Sequence, residues 1–188
     1  MHLSGHLNKP IGLPAKSAIG YRREPATALR LQPLPPHLSL EIAMHNRIEW
    51  AKHAPDAYKA MVGLEQALAK SGLENSLLEL VRLRASQING CAYCVNLHAN
   101  DARKAGETEA RLQTLTVWQE TNYFSPRERA ALAWVESLTR LPERGAPQSE
   151  YQALQEHFEP AEVANLTLAI AAINAWNRFG VGFAMVPA

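Results

Sequence analysis

The chain has 188 residues, 47% of them apolar, and 19 Lys and Arg against 18 Asp and Glu give a formal charge of +1. A chain of this size buries roughly 70% of its unfolded surface as one domain, so a core forms without disulfide staples and a disordered chain is excluded. The balanced charge gives no general drive towards nucleic acid or an anionic membrane, and no apolar run approaches the ~20 residues that span a bilayer.

Residues 1–39 stand apart. They hold six of the twelve prolines, five basic residues (Lys9, Lys16, Arg22, Arg23, Arg30) and one acidic residue, Glu24. No helical or strand period survives that much proline, so an extended N-terminal arm is expected. No apolar stretch of secretory-signal length follows a basic start, and the prolines spoil the amphipathic helix of an organelle transit peptide. The expected location is therefore cytoplasmic, with the arm draped over a neighbouring subunit or an upstream start without a role.

Residues 40–188 read as an all-α domain of six to eight helices, since nothing alternates with period two. Pro55 suits a first helical position, and Tyr58, Met61, Val62, Leu64 and Leu68 repeat at helical spacing until Gly72. Asn75 or Ser76 can cap a second helix closed by Asn89-Gly90. A third runs from about Cys91 to Gly106. Thr108 can cap a fourth carrying Leu112, Leu115 and Val117. Ser125-Pro126-Arg127-Glu128 combines a capping Ser, Pro at N1 and Glu at N3, and the helix behind it stops before Pro142. A short helix follows near 148–158. Pro160 opens the last, expected from about Ala161 to Phe179. Its Leu166–Ile173 stretch is apolar on most sides and so central. Gly180-Val181-Gly182 reads as helix termination.

The two cysteines sit three apart in Cys91-Ala92-Tyr93-Cys94, with His98 four residues beyond Cys94. On a helix these three share one stripe, because seven steps of 100° return to within about 20° of the start. Cys94 and His98 are i,i+4 neighbours, close enough to exchange a proton directly or through water. Cys91 lies at the helix start, where free N–H groups favour a thiolate. If the preceding helix folds back antiparallel, Glu79 lies within about one turn of His98. Side chains lean towards their own N-terminus, which parts these two and calls for a bridging water. On an exposed face Glu79 would instead simply pair with Arg82 at i+3.

Four readings of the cysteines compete. A structural disulfide closing so small a loop contributes only about 2 kcal/mol of chain entropy. A zinc site has three ligands in Cys91, Cys94 and His98 but no evident fourth. Haem attachment needs His directly after the second Cys, where Val95 stands. A redox dithiol suits a small ring that opens and closes readily, and the pattern favours it. The other histidines form no metal spacing. Trp176-Asn177-Arg178 reads as core and interface.

Glu79, eleven residues, Cys91-x-x-Cys94, three residues and His98 resemble the active-site pattern of AhpD-like alkylhydroperoxidases, of the carboxymuconolactone decarboxylase superfamily. The likeness runs from about Arg47 to Ala188 and includes Leu83 to Cys91, Ala130 to Trp134 and Leu166 to Arg178. It implies an all-helical subunit in a homo-oligomer, trimer or hexamer. It also implies a thiol peroxidase reducing alkyl or hydrogen peroxide without haem, flavin or metal, reset by an external dithiol reductant. By the same resemblance Cys94 is peroxidatic, Cys91 resolving, and Glu79 and His98 a proton relay. The founding type has a second His between its cysteines, where this chain has Tyr93. The decarboxylases that name the superfamily lack the Cys pair. A non-catalytic redox sensor or adaptor would use the same dithiol.

Overall fold

The computed structural model describes residues 46–187; the arm expected over residues 1–39 lies outside the described residues. Among the described residues there are nine α-helices and no strand. They are α1 Trp50–His53, α2 Pro55–Leu68, α3 Asn75–Asn89, α4 Ala92–Lys104, α5 Glu109–Thr114, α6 Pro126–Thr139, α7 Leu141–Arg144, α8 Gln148–Gln155 and α9 Pro160–Gly182. Seven remain when the two four-residue helices, α1 and α7, are set aside. The central helix is α3, which packs on α4, α6 and α9, while α9 also touches α2, α4, α6 and α8.

Local chemistry sets most of the boundaries. Pro55 and Pro126 stand in the first turns of α2 and α6. Ser125 and Glu128 form the reciprocal capping box, each side chain bonded to the other's backbone N–H. Thr108 caps α5 by accepting from the Arg111 N–H at 3.4 Å. Two expectations are corrected. Asn75 and Ser76 are not caps but the first residues of α3, whose N-cap Glu74 makes no side-chain cap bond. The fourth helix stops at Thr114 and tightens into a 3₁₀ turn, Leu115–Glu120, where Val117 leaves helical geometry at φ −126°. Leu115 and Trp118 are buried there, so packing has overridden the helical period. The helix behind Ser125 does stop before Pro142, at Thr139, and Pro142 then sits in the first turn of α7.

The core has two apolar clusters sharing α3 and α6. One gathers Leu77, Leu78, Val81 and Ala85 with Leu166, Ile170 and Ile173; the other gathers Leu80 and Leu83 with Leu112, Leu115, Trp118 and Leu132. A charged pair lies between these helices. Arg84 donates to Glu136 Oε1 from Nε at 2.9 Å and from Nη2 at 2.6 Å, and the Trp118 indole N–H reaches the same oxygen at 2.9 Å. Arg144 takes the other oxygen at 3.1 Å. Burial pushes the Glu136 pKa up, but the Arg84 and Trp118 hydrogen bonds and the two arginine charges outweigh it and hold the carboxyl below its usual range.

The junction of α3 and α4 is one Schellman turn. Gly90 adopts φ 67°, its N–H reaches Gln87 O at 3.3 Å, and the Cys91 N–H reaches Ser86 O at 3.1 Å. Only a residue tolerant of the left-handed region fits there. Cys91 is thereby delivered as N-cap of α4, its sulfur accepting from the Cys94 N–H at 3.3 Å. Cys91 and Cys94 form a disulfide with Cα atoms 5.3 Å apart. An amide ladder ties this corner to α9: Asn89 Nδ2 donates to Asn174 and Asn177 at 3.0 and 2.9 Å, and Asn177 Nδ2 donates to Ser86 Oγ at 3.0 Å. The last helix does terminate within the Gly180-Val181-Gly182 stretch, but at Gly182, three residues beyond the expected end at Phe179. A Cβ at Gly180 would lie 2.5 Å from Cys91 Sγ and 3.2 Å from Cys94 Sγ, so glycine here makes room for sulfur.

Two outcomes are expected. Glu136→Gln leaves the Arg84 guanidinium buried without its counter-charge and should cost about 3 kcal/mol or more in denaturant unfolding at pH 7. A lowered carboxylate pKa contributes stability above the unfolded value and loses it as pH falls through the folded one, so the variant's acid limb below pH ~4.3 should be flatter. Gly180→Ala should destabilise the disulfide form by about 1–3 kcal/mol, and the dithiol form less, since a free Cys91 thiol can rotate away. Equal losses in the two redox states, measured by parallel unfolding, would contradict that contact.

Candidate active site

The residues singled out in the sequence converge on one cavity of about 530 Å³. Its wall combines Glu79 and Arg82 from α3, Tyr93, Cys94 and His98 from α4, and Trp176 from α9. Cys94 opens onto this space, whereas Cys91 lies behind it, 1% exposed and outside the lining. The two sulfurs are therefore chemically unequal: one is reachable by a ligand in the cavity, the other only through its partner.

Glu79 and His98 meet directly, His98 Nδ1 standing 2.8 Å from Glu79 Oε2. The expected bridging water is not required, because α3 and α4 pack closely enough to overcome the opposing lean of their side chains. Glu79 also receives Arg82 Nη1 on Oε1 at 2.7 Å. The two sequence readings of Glu79 thus hold together, except that its face is buried, at 5% exposure, rather than exposed. Burial pushes the Glu79 pKa up, but hydrogen bonds and charge from His98 and Arg82 outweigh it and hold the carboxyl below its ordinary range. An ionised carboxylate only accepts, so His98 Nδ1 carries the hydrogen and Nε2 is left to exchange a proton. Cys94 and His98 line the same cavity, and among the described residues no hydrogen bond joins them while Cys94 is held in the disulfide.

Two participants were missed by sequence reasoning. Glu65 on α2 accepts from Arg82 Nη2 at 2.7 Å and from the Trp176 indole N–H at 3.0 Å. Trp176, expected as core and interface, packs against the main apolar cluster and also links α9 to this charged wall. A lone Glu on an amphipathic helix carries no signal of such a role, since its partners are 17 and 111 residues away. Gly180 is the other, its part visible only once α9 lies against the sulfurs. Trp50, Tyr58 and Trp176 form an aromatic cluster at the cavity, with Trp50 stacked on Phe179 at 4.1 Å. No group of three His, Cys, Asp or Glu among the described residues is arranged to hold a metal ion. No helix among them is long and apolar enough to cross a membrane.

Comparison with known proteins places this geometry in a family. Residues 55–137 match the carboxymuconolactone decarboxylase family. The Bacillus subtilis (strain 168) protein YdfG is 38% identical over 138 residues, covering 73% of this chain and 94% of that one. The crystal structure of ATU0492 from Agrobacterium tumefaciens, a protein of unknown function described as a candidate antioxidant-defence protein AhpD, is 42% identical, with a TM-score of 0.75 over 77% of this chain and 99% of that one. A peroxidase-related protein from Ralstonia eutropha JMP134, described as an alkylhydroperoxidase AhpD core, shares the fold at 23% identity, with a TM-score of 0.65 over 73% and 74% of the two chains. With its Cys-x-x-Cys corner at the start of a core helix, the chain belongs to the carboxymuconolactone decarboxylase family and has the AhpD-like fold.

Proposed function

We propose that the protein is a thiol-dependent peroxidase reducing alkyl or hydrogen peroxide in an antioxidant role. The observation that carries this reading is the inequality of the sulfurs: Cys94 faces a cavity that also holds the Glu79–His98 pair, and Cys91 is enclosed behind it. A disulfide serving as a staple has no need of a cavity or of an acid–base pair beside one of its sulfurs. The candidate antioxidant description of ATU0492 agrees with this reading.

In the dithiol form, His98 takes the Cys94 proton on Nε2, and Glu79 stabilises the resulting imidazolium through Nδ1–H. The thiolate attacks the distal peroxide oxygen, the O–O bond breaks, and the leaving alkoxide takes the proton back from His98. Cys94 is then a sulfenic acid. Cys91 displaces its hydroxyl, forming the disulfide and releasing water. An external dithiol restores the pair by exchange and leaves as a disulfide. Cys91 accepts the first role poorly, since it makes contact with Gly180 and with the N–H groups at the start of α4 rather than with the cavity. Helix-end stabilisation of its thiolate is worth about 0.3–1 kcal/mol, against roughly 3–5 for a positioned acid–base group beside Cys94. Tyr93 stands where the founding type has a second His, so the relay has one fewer imidazole. Assembly as a homo-oligomer, trimer or hexamer, in the cytoplasm is part of the same reading.

The test is peroxide consumption with dithiothreitol as reductant. Wild type should turn over many equivalents, whereas a sensor would consume one. Cys91→Ser should undergo a single fast oxidation, trapped as sulfenic acid on Cys94. Cys94→Ser should lose the fast reaction, and His98→Ala should slow it by about 10²-fold or more with the fold intact. Fast sulfenic acid formation in Cys94→Ser, with Cys91→Ser inert, would reverse the assignment.

A further inference from the structure

The charges around His98 come from several elements. Helix α2 supplies Glu65 and the phenol of Tyr58. Helix α3 supplies Glu79 and Arg82, and α4 supplies Tyr93, Cys94 and Asp101; Glu49 lies just before α1, and α9 contributes uncharged Trp176. Asp101 and Glu49 are matched within their own turns, by Lys104 at 2.7 Å and by Lys52. What remains is a continuous chain, Glu65–Arg82–Glu79–His98, in which every link is 2.7 or 2.8 Å. Arg82 spends one terminal nitrogen on each carboxylate, and Glu79 spends one oxygen on Arg82 and the other on His98. The side chains of Arg82, Glu79 and His98 are 12%, 7% and 13% exposed and that of Glu65 is 31%, so solvent screens the links to Glu79 weakly and the Glu65 end more.

We infer that Glu65 is a positioning residue of the relay, which acts through Arg82 to keep the Glu65–Arg82–Glu79–His98 chain one proton short of neutrality. Two carboxylates against one guanidinium leave the chain at −1 when His98 is neutral and at zero when it is protonated. A proton arriving from Cys94 therefore completes a neutral set. Without Glu65, the set is neutral before the proton arrives and positive after, so His98 takes the Cys94 proton less readily. Arg82 would also turn its whole charge on Glu79 and compete with His98 for that carboxylate. The Trp176 indole N–H fixes the far oxygen of Glu65, which keeps the carboxylate facing Arg82. The inference rests on His98 and Glu79 acting as the proton relay, but its test reads the proton and not turnover.

The experiment follows the ring resonances of His98 against pH by NMR, in the full-length disulfide form where neither cysteine titrates. Glu65→Gln should move the titration midpoint to lower pH by about half a unit to one unit, and Arg82→Gln should move it to higher pH by a similar amount. The double variant again leaves one carboxylate beside His98 and should return towards wild type. Purely structural damage has no reason to produce shifts of opposite sign that cancel. If Arg82→Gln does not fold, Arg82→Lys keeps the charge and should hold the wild-type midpoint, and Glu65→Gln alone then decides. Midpoints that stay within ~0.2 unit in Glu65→Gln, or that move the same way in both variants, overturn the inference. A protein that shows the opposed shifts but turns over no peroxide would retain this charge arrangement and lose the peroxidase reading.

Discussion

Helix α3 must bury charge on two sides at once, and the molecule is organised around how that is resolved. Its neighbours cover it so fully that Leu80, Val81 and Ala85 have no exposed surface. Arg82 and Arg84, two residues apart, point to different partners. Arg84 is answered by Glu136 on α6, and Arg82 by Glu65 on α2 and Glu79 on its own helix. A buried charge without its counter-charge costs several kcal/mol, so both arrangements fix α3 against the helices around it. The first arrangement is structural. The second opens onto a cavity and carries a histidine at its end, so the same electrostatic demand that orders the core also orders the candidate site.

Much of this was legible in the sequence, for reasons that differ by element. The capping box at Ser125 and the prolines at 55 and 126 act within one turn, so their meaning survives without tertiary knowledge. The stripe of Cys91, Cys94 and His98 follows from helical geometry alone. The antiparallel return of α3 onto α4 put Glu79 near His98 because only Gly90 separates Asn89, the last residue of α3, from Cys91, the cap of α4. What failed was long-range. Val117 leaves the helical period because Leu115 and Trp118 are pulled into the core on either side of it. Glu65 and Trp176 look like ordinary helix residues until α2 and α9 meet. Gly180 looks like a helix end, because the sulfurs that need its missing side chain are 86 and 89 positions away.

The cavity brings unlike materials together. One side is aromatic, from Trp50, Tyr58 and Trp176, and the other is the charged chain with Cys94 beside it. Such a division is common in small-molecule sites, where an apolar wall is combined with a few convergent polar groups. Trp176 belongs to both sides, its ring in the aromatic cluster and its indole N–H on Glu65. A change at that position would therefore act on shape and on charge together.

The amide ladder between Asn89, Asn174, Asn177 and Ser86 has a consequence for the disulfide. It holds the end of α3 to α9 by side-chain hydrogen bonds that do not pass through either sulfur. The Schellman turn at Gly90 likewise positions Cys91 through backbone bonds alone. Cutting the disulfide therefore removes a covalent link from a corner that is already closed without it. The ladder and the turn therefore set the placement of both cysteine backbones independently of the S–S bond. Under the proposed function, the bond can open and re-form as a chemical event while these hydrogen bonds hold the corner.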